Sequence, residues 1–161
     1  MTLAELLQRY RRGPELVAAV LTGAAGAELD FTPAPGRWSI RQIVAHLADS
    51  EIVGADRLRR LIAEENPTLT AYDQEAWARH LGYHRRRISE ALESFRRLRA
   101  ENCQLLAGLP EEAFLRWGTH TERGRIHLRE LVENDVEHVA KHARQIQALR
   151  DAWRQRRADP T

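Results

Sequence analysis

Apolar residues recur at steps of three and four through almost the whole chain, the spacing that lines one face of a helix. The first segment carries Leu3, Leu6, Leu7 and Tyr10, then Leu16, Val17, Val20 and Leu21 beyond Gly13-Pro14. A proline lacks the N–H that the helical ladder needs, so this segment is expected as one kinked helix or two short ones. A loop with Pro33, Pro35 and Gly36 follows. The second helix is predicted to open at Ser39, with Gln42 completing a capping box. Its apolar face begins at Ile40, Ile43, Val44 and Leu47, continues through Leu58, Leu61 and Ile62, and ends near Glu65, before Asn66-Pro67. A short helix in YDQEAWARHLG is expected from an Asp73 cap to Gly82. The third long helix is expected from about Arg85 to Ala107, with Ile88, Leu92, Phe95, Leu98 and Leu105 inward. Gly108 and Pro110 close it. The polar stretch RWGTHTERGR then leads to the last long helix, starting near His127 and carrying Leu128, Leu131, Val132, Val136, Val139, Ile146 and Leu149.

No useful run alternates with the period of a strand. The expected fold class is therefore all-α: a four-helix bundle with one long connection and a short extra helix, residues 1–161 forming a single domain. Only the RQRRADPT end reads as ragged.

Composition narrows the functional classes. With 43% hydrophobic and 30% charged residues, 6 prolines and 9 glycines, the chain reads as globular rather than disordered. The net charge is only +2, and arginines are interleaved with acids along the helices, which marks solvated helix surfaces rather than a nucleic-acid stripe. The single cysteine, Cys103, rules out an intrachain disulfide and lies within a helical pattern, as a buried thiol would. No segment has the apolar length of a signal peptide or a membrane span, so the expectation is a cytoplasmic protein without membrane or nucleic-acid partners.

The chemistry is concentrated in histidines. His138 and His142 stand four residues apart in EHVAKHARQI, one helical turn apart on the same face. His142 falls within the apolar stripe of the last helix, and His138 lies along its edge beside Leu131, Asp135 and Gln145. Two inward imidazoles need partners, because an unsatisfied buried polar group costs about 1–3 kcal/mol. A metal would satisfy both with a third nitrogen from His46, leaving an open position for water or substrate. Asp135 and Gln145 could then orient the rings from behind, and Ser50 is best placed to do so near His46. Hydrogen bonding of the same histidines to carboxylates or water is the alternative that spacing alone leaves open. A zinc-protease helix is excluded, since its general-base glutamate would fall at Val139. Glu51 lies about 140° around the helix from His46 and is a poor partner for it. Asp49 reads as part of a solvated face, and Trp38 and Trp77 as core or pocket wall. His120 could hang over a site at the bundle mouth, although solvent exposure is the simpler expectation.

Several stretches together resemble a known family. GRWSIRQIVAHLADSE is similar to the entry of the second helix in DinB-like proteins, and EHVAKHARQI to their His-x-x-x-His-x-x-Gln-Ile signature. YDQEAWA and the His120-Thr121-Glu122-x-Gly124 turn resemble the YfiT-like branch, which includes metal-dependent hydrolases and bacillithiol transferases. The resemblance spans about Leu3 to Leu149. It implies a divalent metal, zinc or nickel, on His46, His138 and His142, and often a homodimer. It also implies activation of a low-molecular-weight thiol, as co-substrate, or of water, towards a small-molecule substrate. No side chain is an obvious separate nucleophile, so the open metal position would carry the chemistry. The chain departs from the pattern at Asn134-Asp135, where an aromatic residue or histidine is usual, and at Thr121, where proline is. A non-catalytic metal- or ligand-binding bundle, or a dimerisation module, is the rival reading.

Overall fold

The computed structural model describes residues 1–159. Helix α1 (Leu3–Arg11) begins with a full capping box between Thr2 and Glu5, and α2 (Gly13–Leu21) follows with Pro14 in its first turn. The proline thus yields two short helices, since its ring is tolerated only where no intrahelical N–H is required. Helix α3 (Ile40–Ala63) starts with the predicted Ser39–Gln42 box. Asp73 caps the short α4 (Gln74–His80), and Gly82 takes the left-handed conformation, φ 62°, that ends it. Helix α5 (Ile88–Ala107) begins later than expected, because Tyr83–Arg85 form a separate 3-10 turn. Helix α6 (Leu128–Ala158) carries most of the stretch expected to be ragged, while Pro160 and Thr161 lie outside the described residues.

The long helices pack as two parallel pairs. Contacts from Gly13 to Val139 and from Arg150 to the Val20 carbonyl show α1–α2 running with α6. Contacts from Glu51 to Arg99 and from Arg59 to Asn102 show α3 running with α5. The two pairs oppose one another, so the connection between α3 and α5 must return along the bundle. That return carries α4 past the outer side of α3, where Trp38, Trp77, Ala78 and Tyr83 pack with Ala45.

One expectation fails outright. RWGTHTERGR is a β-hairpin, β2 (Trp117–His120) and β3 (Gly124–His127), and β1 (Thr68–Leu69) pairs parallel to β2. Strands of four residues or fewer are too short for alternation to register in the sequence. The sheet closes on Gly118, where an added Cβ would stand 2.7 Å from the Pro67 carbonyl oxygen and 3.0 Å from Leu61 Cδ2. Gly118→Ala should therefore destabilise the protein by about 1–3 kcal/mol through overpacking. An unchanged urea midpoint in that variant would show that β1 yields freely.

The core divides into two main clusters. One centres on Leu6, Leu58, Leu61, Leu128 and Val132 at the sheet end, the other on Val17, Ile43, Leu47, Phe95 and Ile146. Leu105, expected inward, is 41% exposed, while Arg99 and Asn102 of the same helix are buried. Arg99 donates to both Glu51 carboxylate oxygens (2.8 and 2.7 Å) and to the Tyr10 carbonyl (2.7 Å), and its guanidinium lies 3.8 Å from the Tyr10 ring centre. Asn102 donates to Glu51 Oε1 and to the Tyr10 hydroxyl. This polar knot ties α1, α3 and α5 together between the apolar clusters.

Candidate metal centre

His46 sits in the second turn of α3, so the Ser39 cap that fixes the start of the helix also fixes the direction of this ring. His138 and His142 leave α6 one turn apart. The three imidazoles converge, with His138 Nε2 at 2.9 Å from His46 Nε2 and 3.1 Å from His142 Nε2. Among the described residues they form the one group of histidine, cysteine and acidic side chains with metal-binding proximity. His46 and His142 are buried and His138 is half-buried, so the cluster opens toward solvent on the His138 side.

The donor chemistry fits a cation. His142 Nδ1 donates to Gln145 Oε1 at 2.8 Å, which leaves the lone pair of His142 on Nε2 and aims it at His138. One proton on His138 Nε2 cannot serve two facing nitrogens equally well, whereas one metal ion can. Two nitrogens bound at about 2.1 Å to a common zinc stand about 3–3.4 Å apart, close to the spacings found. Burial, reinforced by the neighbouring histidines, pushes His46 and His138 down to about 3. Burial also lowers His142, opposed by its bond to Gln145. The rings are neutral at pH 7, the form in which imidazole ligates.

The surrounding residues divide. Gln145 holds His142 as described. Ser50 donates to the Leu47 carbonyl of its own helix (3.2 Å), away from the imidazoles. Asp135 lies one turn before His138 but makes no hydrogen bond to a ring; its Oδ2 faces Gly54 where α6 packs on α3. Burial and the charge of Glu51 push the Asp135 carboxyl up to about 7, against the pull of Arg99, Arg57 and Arg123. His120 is buried, contrary to the expected exposure, and stands apart from the cluster. Its Nδ1 accepts from the Glu122 and Arg123 N–H groups at 3.2 Å, fixing the hairpin turn. Asp49 is likewise buried rather than solvated, and pairs with Arg86 at 3.2 Å. His46 Nδ1 is buried without a partner, and the Trp38 ring packs 5.0 Å from the imidazole. Cys103 opens on a separate groove of about 770 Å³ between α1–α2 and α5, and burial raises its thiol, so it is no nucleophile for this centre.

These shifts set a pH dependence. His46 and His138 titrate far below the unfolded value of 6.5, so the stability they contribute is present above pH 6.5 and is lost as pH falls toward 3. Asp135 is raised above 3.8 and works in the opposite direction, gaining as pH falls from about 7. Two groups outweigh one, so the metal-free protein should lose stability steadily from pH 6.5 to 4, and more steeply in Asp135→Asn. Denaturant midpoints across that range measure it, and a flat profile would contradict the neutral buried rings.

A family model described as the DinB superfamily matches residues 9–146. A relative from Oceanobacillus iheyensis, provisionally named a metal-dependent hydrolase, is 30% identical over 136 residues, covering 84% of this chain and 78% of its own. YfiT of Bacillus subtilis carries the same provisional name and is 30% identical over 100 residues, 62% of this chain and 56% of its own. A solved YfiT structure, described as a four-helix bundle of unusual topology, superposes with a TM-score of 0.88 at 24% identity. That match covers 95% of this chain and 90% of YfiT, and is a likeness of fold.

Proposed function

We propose that this chain, which belongs to the DinB superfamily, is a metal-dependent enzyme whose divalent ion is held by His46, His138 and His142. The observation that carries the proposal is the convergence of three neutral imidazole nitrogens on one point, one of them locked in its ligating tautomer by Gln145. A divalent ion there would supply Lewis-acid activation, lowering the pKa of a thiol or a water. Three neutral imidazoles would leave the charge of such an ion uncompensated, which would suit an anionic partner, and a thiolate would match zinc on grounds of softness. The reading is therefore a thiol S-transferase or a hydrolase acting on a small molecule. The provisional hydrolase names of the relatives support the coarser half of it.

The chain's own residues supply the rest. Asp135, poised near neutrality on the same face of α6 as His138, is placed to take the proton that the thiol or water gives up. Tyr72 and Trp77 pack with ring centres 4.4 Å apart on the returning connection, and Trp77 belongs to the same packed cluster as Trp38, whose ring lies 5.0 Å from His46. No helix among the described residues is long and apolar enough to cross a membrane, consistent with action on a dissolved substrate. Elemental mass spectrometry on untagged protein tests the centre: about one zinc or nickel per chain is expected. No metal, even after incubation with either ion, would return the histidines to the role of buried polar groups.

A further inference from the structure

Among the described residues, every buried or half-buried arginine but one has a carboxylate at ion-pair distance. The exception is Arg57. Its Nη2 donates to the Thr70 carbonyl at 2.8 Å, but its Nε is buried with no partner. Asp56, beside it in sequence, is held by Arg60 at 2.9 Å. A guanidinium that has lost water without gaining a counter-anion is unfavourable, and the rest of the fold avoids that arrangement.

The position of Arg57 gives the exception a meaning. It lies eleven residues after His46, about 20° around α3 and about 16 Å along it, so both share one face. Ser50 and Val53, half-buried, fill the face between them. Asp135 packs against this part of α3 from α6, opposite Gly54. At the far end stands His120, next to Leu69 in the sheet. Because its Nδ1 accepts two backbone N–H groups, the ring proton is on Nε2, which makes that atom a donor. Arg123, on the hairpin turn, has no ion-pair partner among the described residues, and its charge acts on Arg57, His120 and Asp135. The acidic groups facing this end are Asp135, Asp56 and the exposed Glu122. Two arginines and a neutral histidine donor thus lie within electrostatic reach of one another, and among the described residues no carboxylate pairs with either arginine.

We infer that Arg57, with Arg123 and the Nε2–H of His120, forms an oxyanion-binding pole on the face of α3 that also carries His46. It takes a carboxylate or phosphate group borne by the small-molecule ligand. The inference rests on the metal-centre reading only in making the opposite end of that ligand the reacting end. The planar fork of Arg57 suits either oxyanion, and the extended spacing calls for a ligand longer than a single functional group.

The test is an NMR titration of metal-free protein with succinate and, separately, with inorganic phosphate, following arginine Nε–H and tryptophan indole resonances. Saturable shifts are expected with at least one anion, including an arginine Nε–H signal that is missing from Arg57→Gln. Affinity should fall at least about tenfold in Arg57→Gln and several-fold in Arg123→Gln. The second variant keeps the test independent of folding, because Arg123 is exposed whereas Arg57 also holds Thr70. Saturation by succinate alone assigns a carboxylate, and saturation by phosphate assigns a phosphoryl group. No saturable shift with either, or affinities unchanged in both variants, overturns the proposal. His142→Ala should bind the anion as the wild type does, so failure of the metal centre and failure of the anion pole are separately visible.

Discussion

Replacing Arg99 with alanine is expected to destabilise the protein by about 3–5 kcal/mol, the cost of stranding a buried carboxylate. Arg99 and Glu51 are 2% and 4% exposed, and their two parallel hydrogen bonds are 2.8 and 2.7 Å long. Burial alone would lower the Arg99 pKa, yet the bonds to Glu51 and its charge hold it above the usual range, so the pair is firmly ionic. Alanine removes the counter-charge, the bond to the Tyr10 carbonyl and the stack on the Tyr10 ring together. Urea unfolding measures the loss, and a midpoint like that of the wild type would refute the account. The double variant Arg99→Met with Glu51→Leu separates the causes. It removes both charges while filling the space, and should recover most of the lost stability, because a buried ion pair is often no better than a well-packed apolar one.

The second large effect is all or none. His142→Ala should take metal from about one ion per chain to none, because two remaining imidazoles make a poor site and the lost ring is the one locked by Gln145. His127→Ala is the control. That ring bonds Glu130 at 3.0 Å at the start of α6, away from the cluster, and its loss should leave the metal in place. Gln145→Leu should lie between, retaining the ligands but weakening binding by about 10–100-fold through loss of ring orientation. Metal retained in His142→Ala would sink the triad assignment. The variant's stability can move in either direction, since alanine removes a buried polar group as well as a ligand.

The bundle was legible because its helices announce themselves at both ends. Ser39 with Gln42, Asp73, and Gly13-Pro14 are local signals whose geometry depends on a few neighbouring residues, and each acts where the pattern places it. The convergence of His46 with His138 and His142 was legible only in part. Spacing aligns the α6 pair and leaves His46 as a candidate third ring, but that ring enters through packing between helices far apart in sequence, so only the resemblance singled it out. The hairpin was hidden because its strands hold only four residues each, with Gly118 and Thr119 in place of apolar alternation.

The Arg99 knot could have been seen. Phe95, Arg99, Asn102 and Leu106 repeat at four, three and four, an apolar stripe interrupted by two polar residues. The same reasoning picked out His142. Leu105 was drawn inward by its chemistry alone, although it stands about 80° away from Phe95 around the helix. Asp49 and Arg57 were beyond reach for a different reason: their environments are made by residues of the returning connection, Arg86 in one case and Thr70 in the other.

The parallel pairing of α3 with α5 bears on how the protein is made. Neighbouring long helices that run the same way cannot zip into a hairpin, and His46 is 92 residues away from His138. During synthesis α3 and α5 can join through Glu51 and Arg99 while α6 is still inside the ribosome, with one of the three imidazoles in place. Helix α6 brings His138 and His142 in together, so the three rings can converge only after α6 has docked. A chain cut short before Leu128 would therefore keep the knot of Glu51, Arg99 and Asn102 but hold only one of the three rings.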